Sequence, residues 1–303
     1  MRTGIYRFHC TLNQDAVLPP YKGSTFRGGF GVALKRTVCA LKRQECPSCL
    51  LRESCLYHRV FEPKPSQLPR QRLAAAPHPY VIRPPLDTQR HYPEGASFDF
   101  ELLLFGDLNQ SLPFFVYTLE QMGEKGIGKG RATFTLNQVT AGNRIIYRQQ
   151  DKKIDLHETT CELNLAAARP GHHQVRLVLL TPLRLKKHGH LTQKLDFETL
   201  VRACLRRISG LTTHYGDGEP ELDYPQLVAD AAAITASADK LRWHEWQRYS
   251  NRQQESMQFG GLLGEITFDR VPGRYVPLLE FAQQVSLGKQ TSFGLGQFEL
   301  ELR

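Results

Sequence analysis

SLGKQTSFGLGQFEL, residues 286–300, closes a chain of 303 residues. A helix-like segment, Leu278 to Val285, runs into it; Gly288, Gly294 and Gly296 punctuate it around Lys289; an alternating strand, Gln297 to Leu302, follows. Glycines let backbone N–H groups approach a phosphate and the lysine supplies charge, so the stretch reads as a loop that holds a polyanion. The order is helix, loop, strand, and Gln290 follows the lysine. Both features differ from a nucleotide-binding P-loop. A turn that merely lets helix and strand pack closely has the same composition.

The stretch has a counterpart in GIGKGR, residues 126–131, and the segments before the two loops correspond. In the first half, periodicity predicts a strand over Gly4–Asn13, a helix over Thr25–Ala40 capped by Ser24, strands over Tyr80–Arg83 and Ser97–Phe105, a helix over Leu112–Met122 and a strand over Ala132–Val139. The second half predicts a strand over His173–Leu185, helices over Phe197–Leu211 and Tyr224–Ala236, strands over Leu241–Tyr249 and Leu262–Phe268, and a helix over Val276–Gln284. This is a βαββαβ unit met twice. The expected fold is α+β: two tandem ferredoxin-like domains, 1–140 and 172–303, joined by a linker or extra hairpin over 141–171, with a four-cysteine insertion over 39–76. The glycines at 28, 29 and 31 lie at the start of the first helix, where they cost stability and imply close backbone contact with a strand or with a nucleic acid.

The formal net charge is +9, with cations scattered over loops and helix faces. That points to a polyanionic partner, against the plainer reading of a basic enzyme. No apolar run has the length of a membrane span and the N-terminus enters a strand pattern directly, so a cytoplasmic protein is expected. Cys10, Cys161 and Cys204 lie in apolar segments and read as buried thiols. Cys39, Cys46, Cys49 and Cys55 fall within seventeen residues and include a CxxC pair. Four thiolates suit a tetrahedral structural zinc; a disulfide or redox pair and an iron–sulfur cluster are the alternatives. A closed four-thiolate site leaves no open coordination position, so no catalytic metal is expected. No HExxH cluster supports a zinc hydrolase.

Two ferredoxin-like units ending in a glycine-rich loop resemble the RAMP superfamily of CRISPR-associated proteins. GKQTSFGLGQFEL resembles the signature of the CRISPR precursor-RNA processing endoribonuclease. FRGGFGVALKR (26–36), the four cysteines followed by Phe61-Glu62-Pro63, TPLR (181–184) and RYSNRQ (248–253) with Gly260 and Gly261 are similar to one branch of that family. The resemblance implies metal-independent cleavage of CRISPR repeat RNA by its own 2′-hydroxyl, leaving a 2′,3′-cyclic phosphate and mature guide RNA. DNA is not an expected substrate, and effector-complex proteins are conceivable partners. A RAMP subunit that binds guide RNA without cutting it is the rival.

Such chemistry needs a base, an acid and a fixed cation. Family members commonly place a histidine in or just after the first helix. Here the nearest is His58, with Tyr57 beside it and Lys35 one helix away, and these three are the catalytic candidates. His188 and His190 compete, and Tyr21 and Lys22 are further possibilities. Expected RNA contacts are Arg27, Arg36, Lys129, Arg131, Arg184, Lys186, Lys187, Gly288, Lys289, Gly294 and Gly296. Arg248 and Arg252 read as strand-flanking charges paired with Glu245 or Glu255, and Trp243 and Trp246 as core.

Overall fold

The computed structural model describes residues 1–42, 44–62, 65–68, 75–250 and 255–303, with the side chains of 247–258 left aside. Pro63 and residues 251–253, including Arg252, therefore lie outside the described residues, as does the Arg248 side chain. The chain forms two compact units, one of residues 1–162 with 214–216 and one of residues 163–213 with 217–303.

In unit 1, β1 (Arg2–Leu12) leads to α1 (Gly23–Val38), α2 (Leu56–Phe61), β2 (Tyr80–Arg83), β3 (Ser97–Phe105), α3 (Leu112–Lys125) and β4 (Phe134–Ala141). The hairpin β5 (Arg144–Arg148) and β6 (Lys153–Ile154) extends the same sheet, in the order β2-β3-β1-β4-β5-β6. All pairings are antiparallel. The central four strands thus stand in the order 4-1-3-2 of a β-α-β-β-α-β unit. Alternation in β1 explains its two faces: Tyr6, Phe8, Cys10 and Leu12 are buried, while Arg7 pairs with Glu101 (2.8 Å) and His9 with Asp99 (3.0 Å) on the other side.

Helix α1 covers the apolar face with Phe26, Phe30 and Leu34 at four-residue steps. Phe30 meets Phe61, Tyr80 and Phe115 with ring centres 5.7–5.9 Å apart, so truncating it would cost about 3–5 kcal/mol. The helix begins two residues earlier than its polar pattern predicts. Lys22 occupies the N-cap position and Ser24 sits inside the first turn, with no side-chain cap bond. Two of the three glycines serve protein packing: a Cβ on Gly29 would stand 3.1 Å from Met122 of α3 and one on Gly31 3.0 Å from the Phe61 ring, whereas one on Gly28 would meet nothing within 4 Å.

Unit 2 repeats the plan with β7 (His172–Leu183), α4 (Phe197–Tyr215), α5 (Tyr224–Ala231), β8 (Ala236–Asp239), β9 (Arg242–His244), β10 (Gly261–Pro272), α6 (Val276–Val285) and β11 (Phe298–Leu302). The sheet order is β8-β10-β7-β11, with β9 also on β10, which is again 4-1-3-2. Phe197, Phe268 and Tyr275 form an edge-to-face cluster beneath α4 and α6. The strand expected over Leu241–Tyr249 is divided between β9 and a separate Gln247–Ser250/Glu255–Gln258 hairpin. Cys10 and Cys204 are buried as expected, but Cys161 is exposed, on a two-residue strand that pairs with the start of β1. Among the described residues no helix is long and apolar enough to cross a membrane.

Candidate functional site

In unit 1, α2 lies against α1 through a column of two stacked rings with a cation at each end. The Arg27 guanidinium stands 5.1 Å from the Phe61 ring centre, Phe61 stacks on Tyr57 at 5.1 Å and 15°, and the Lys35 ammonium stands 5.6 Å from the Tyr57 ring. Each cation–π contact contributes roughly 0.5–1 kcal/mol at a partly exposed site and fixes the direction of its side chain. Two of the three catalytic candidates, Lys35 and Tyr57, are thereby in contact. His58 is the next residue of α2, half-buried, and its Nδ1 is buried without a hydrogen-bond partner. An unsatisfied buried imidazole nitrogen costs about 1–3 kcal/mol, which a ligand atom would relieve. Arg27 is spent on Phe61, whereas Arg36 is exposed on the last turn of α1.

The cysteine loop begins and ends on helix caps. Cys39 is the C-cap of α1, its N–H donating to the Lys35 carbonyl, and Cys55 is the N-cap of α2. Cys39, Cys49 and Cys55 line one cavity of about 350 Å³ with Val38, Leu56 and Phe114. The Cys46 thiol is pushed up by burial, against the pull of the Lys35 charge; Cys39 and Cys55 act on it as well. All four thiols are free. Their chemistry and their convergence on α1 and α2 fit a soft divalent metal, although among the described residues no three metal-ligating side chains stand in ligating geometry.

Lys22 and Tyr21 are not placed for chemistry. Lys22 is 0% exposed, its ammonium donating to the Asp87 carbonyl (2.6 Å) and carboxylate (3.1 Å), and it lies over the Tyr92 ring. Burial pushes the Tyr21 phenol far above its ordinary range. Lys129 and Arg131 are exposed at the tip of a turn that Ile127 and Ala132 close with two backbone bonds of 2.9 Å.

In unit 2 the terminal loop is packed down on the end of β7. Gly294 and Gly296 are buried, and their N–H groups donate to the carbonyls of Thr291 and Pro182. Neither is therefore a phosphate donor. The glycines are needed for shape: Gly296 has φ +75° and a Cβ there would overlap the Leu287 carbonyl, while one on Gly288 (φ +88°) would stand 2.5 Å from the Arg184 carbonyl. Arg184 is likewise internal, 8% exposed, with its guanidinium on the Gly260 carbonyl and over the Phe259 ring. Burial lowers its pKa.

Lys187 is bound to Asp196 at 2.7 Å. Lys186 and Lys289 remain exposed, and partial burial, then the neighbouring Lys186 and Arg206 charges, lower the Lys289 pKa. Arg206 was absent from the sequence-derived candidates; its only signal was an exposed phase on an otherwise apolar helix. His188 is exposed on the two-residue turn beside these cations, and His190 is exposed on the short strand that follows, paired with Lys187. Trp246 packs on Phe259 with ring centres 5.0 Å apart, and the Trp243 indole N–H donates to Glu245.

Comparison with known proteins completes the picture. The family profile AF_1859_N, an N-terminal domain, matches residues 1–159, and CRISPR_Cas6, the CRISPR-associated endoribonuclease Cas6, matches residues 177–298. An uncharacterized protein of Archaeoglobus fulgidus is 24% identical over 288 residues, covering 93% of this chain and 92% of that protein. Among solved structures, a Thermus thermophilus Cas6 product complex matches with a TM-score of 0.59 at 15% identity over 99% of this chain and all of that one. A partial Cas6-RT-Cas1–Cas2 complex matches at 0.57 and 13% identity, over all of this chain and 46% of that one. A RAMP protein binding different RNA substrates matches at 0.51 and 10% identity, over 98% of this chain and 99% of that one. Over residues 1–159, more than half of its length, this chain belongs to the family of the AF_1859_N profile; its residues 177–298 match the CRISPR-associated endoribonuclease Cas6 profile, and the solved structures share its fold.

Proposed function

We propose that this protein is a metal-independent endoribonuclease that cuts CRISPR repeat RNA into guide RNA. The observation that carries this reading is the match of residues 177–298 to the Cas6 endoribonuclease profile, on a chain in which both β-α-β-β-α-β units are present. In the reaction the 2′-oxygen bonds to the adjacent phosphorus as a base removes its proton. The bond from phosphorus to the 5′-oxygen breaks as an acid protonates that oxygen. The products are a 2′,3′-cyclic phosphate and a 5′-hydroxyl. His58, with its unpartnered Nδ1, is the assigned acid or base; Lys35, aligned by the Tyr57 ring, is the assigned stabiliser of phosphorane charge. The four cysteines are assigned a structural zinc that fixes the ends of α1 and α2, giving the tandem ferredoxin-like fold a metal-braced insertion.

The test is incubation of the purified protein with repeat RNA in EDTA, beside an RNA carrying one 2′-deoxy nucleotide at the cut position. Cleavage of the first at one site, with a cyclic end, and none of the second supports the enzyme and its mechanism together. One observation favours a second reading, a guide-RNA-binding subunit that cuts nothing: α1 contains no histidine. Tight binding with both RNAs intact would establish that instead. Within the enzyme reading, His58→Ala should slow single-turnover cleavage by about a hundredfold or more at unchanged RNA affinity. An unchanged rate would remove His58 from the mechanism.

A further inference from the structure

We propose that Lys186, Arg206 and Lys289 form a single phosphate-binding subsite on unit 2 that grips a backbone phosphodiester of the RNA, an inference that rests on the RNA-processing reading above. Three separate elements are tied together to make it. The Lys289 N–H donates to the Arg184 carbonyl at 2.9 Å, which fixes the loop two residues from Lys186. Arg207 is buried, and its guanidinium donates to the carbonyls of Ser286 (3.1 Å) and Val285 (2.8 Å). That locks α4 to the start of the same loop and sets Arg206, one residue earlier and exposed, beside it.

Charge pairing separates these three from their neighbours. Lys187 is neutralised by Asp196 at 2.7 Å and Arg202 by Glu198 at 2.8 Å. Among the described residues no carboxylate lies within ion-pair distance of Lys186, Arg206 or Lys289. Three unpaired like charges repel one another, and a bound anion turns that repulsion into attraction. Partial burial lowers the Lys289 pKa, and the Lys186 and Arg206 charges lower it further, so the three cations feel one another. An arginine fork flanked by two ammonium groups suits the oxygens of a phosphodiester and reads no base, so the subsite positions RNA without selecting its sequence.

The experiment measures affinity against salt concentration for wild type, K186A, R206A, K289A and K187A, with repeat RNA and separately with a short inorganic polyphosphate. Each subsite substitution should weaken RNA binding about three- to tenfold at 150 mM salt and lower the slope of log affinity against log salt by about 0.7. K187A should leave the slope at the wild-type value. R206K should retain the slope of wild type with part of its affinity. If R206A keeps the wild-type slope, or K187A loses as much as R206A, the subsite is overturned and the charge is diffuse, while RNA cleavage by wild type would leave the functional reading standing. If wild type ignores RNA but the R206A/K187A difference persists with polyphosphate, the subsite stands and the RNA reading falls.

Discussion

The two glycine-lysine loops occupy equivalent places in the two units and are held by different means. In unit 1 the turn between α3 and β4 closes on itself through Ile127 and Ala132, and its tip, Lys129 to Arg131, projects into solvent. In unit 2 the turn between α6 and β11 is folded onto the end of β7, and its residues 291–296 are buried. A Cβ on Gly130 would meet nothing within 4 Å, whereas one on Gly296 would collide with backbone. Both loops need glycine for their shape, since a Cβ on Gly126 or Gly128 would stand 2.0 Å from the Arg131 carbonyl or 2.8 Å from the Val17 carbonyl; they differ at the tip, which Gly130 leaves free in the first loop and which is folded into the core in the second.

The comparison breaks most sharply under substitution by alanine. Gly296→Ala adds a Cβ against a carbonyl at φ +75° and should destabilise unit 2 by more than about 3 kcal/mol. Gly130→Ala should change stability by no more than about 0.5 kcal/mol. Urea unfolding of the two variants checks both. Equal costs would mean that the terminal loop is not packed as described.

A smaller effect is expected at the cysteine loop, which lies beside the column of Arg27, Phe61, Tyr57 and Lys35. If Cys39 and Cys55 share a zinc, its removal frees the end of α1 from the start of α2. The protein as purified should then carry one zinc per chain. Strong chelation should lower the midpoint of thermal unfolding by several degrees, roughly the effect of 1–2 kcal/mol on a domain of this size. Cys39→Ser should lose the metal, and a full metal complement in that variant would exclude Cys39 as a ligand.

Much of this architecture was legible in the sequence because it rests on local patterning. The strands Tyr80–Arg83 and Ser97–Phe105 coincide with their periodic segments, since alternation and burial report the same physics. The two halves were recognisable for the same reason. What the sequence concealed depends on partners distant along the chain. Nothing local distinguishes Arg184, buried under the Gly260 carbonyl, from Lys186 two residues later in solvent. Nor does composition tell whether a glycine N–H faces a phosphate or, as at Gly296, the carbonyl of Pro182. Lys22 read as a loop cation and proved to be enclosed by Asp87 and Tyr92, sixty-five residues and more away. For the catalytic candidates, the contact between Lys35 and Tyr57 was not legible, because the intervening cysteine loop hides it from any local period.

The exposed tip sharpens the contrast at the level of binding. Lys129→Ala and Arg131→Ala should each reduce the salt slope of RNA affinity by about 0.7 if the tip meets phosphate, and by nothing if it faces solvent in the complex. Neither should alter stability, because neither side chain is packed. A loss of stability in either variant would show that the first loop, like the second, is structural.

The smallest effect concerns Asp196, which joins the N-terminus of α4 to the cation cluster. Its carboxylate accepts from the Thr199 N–H at 2.7 Å and binds Lys187. Partial burial pushes its pKa up, but the Lys187 and Thr199 hydrogen bonds outweigh that and hold it below the ordinary carboxylate range. A carboxylate with a depressed folded-state pKa stabilises above its unfolded value, near pH 4, and loses that contribution as the pH falls through the folded value. Asp196→Asn should therefore cost up to about 1 kcal/mol at pH 7, as loss of a charged cap does, with the deficit shrinking below about pH 4. The same variant releases Lys187. If cations in this region bind phosphate only when unpaired, Asp196→Asn should raise the salt slope of RNA binding above the wild-type value, and Lys187→Ala in that background should return it. A slope unmoved by either change would mean that pairing with Asp196 is not what keeps Lys187 from the RNA, and that position alone decides which cations are used.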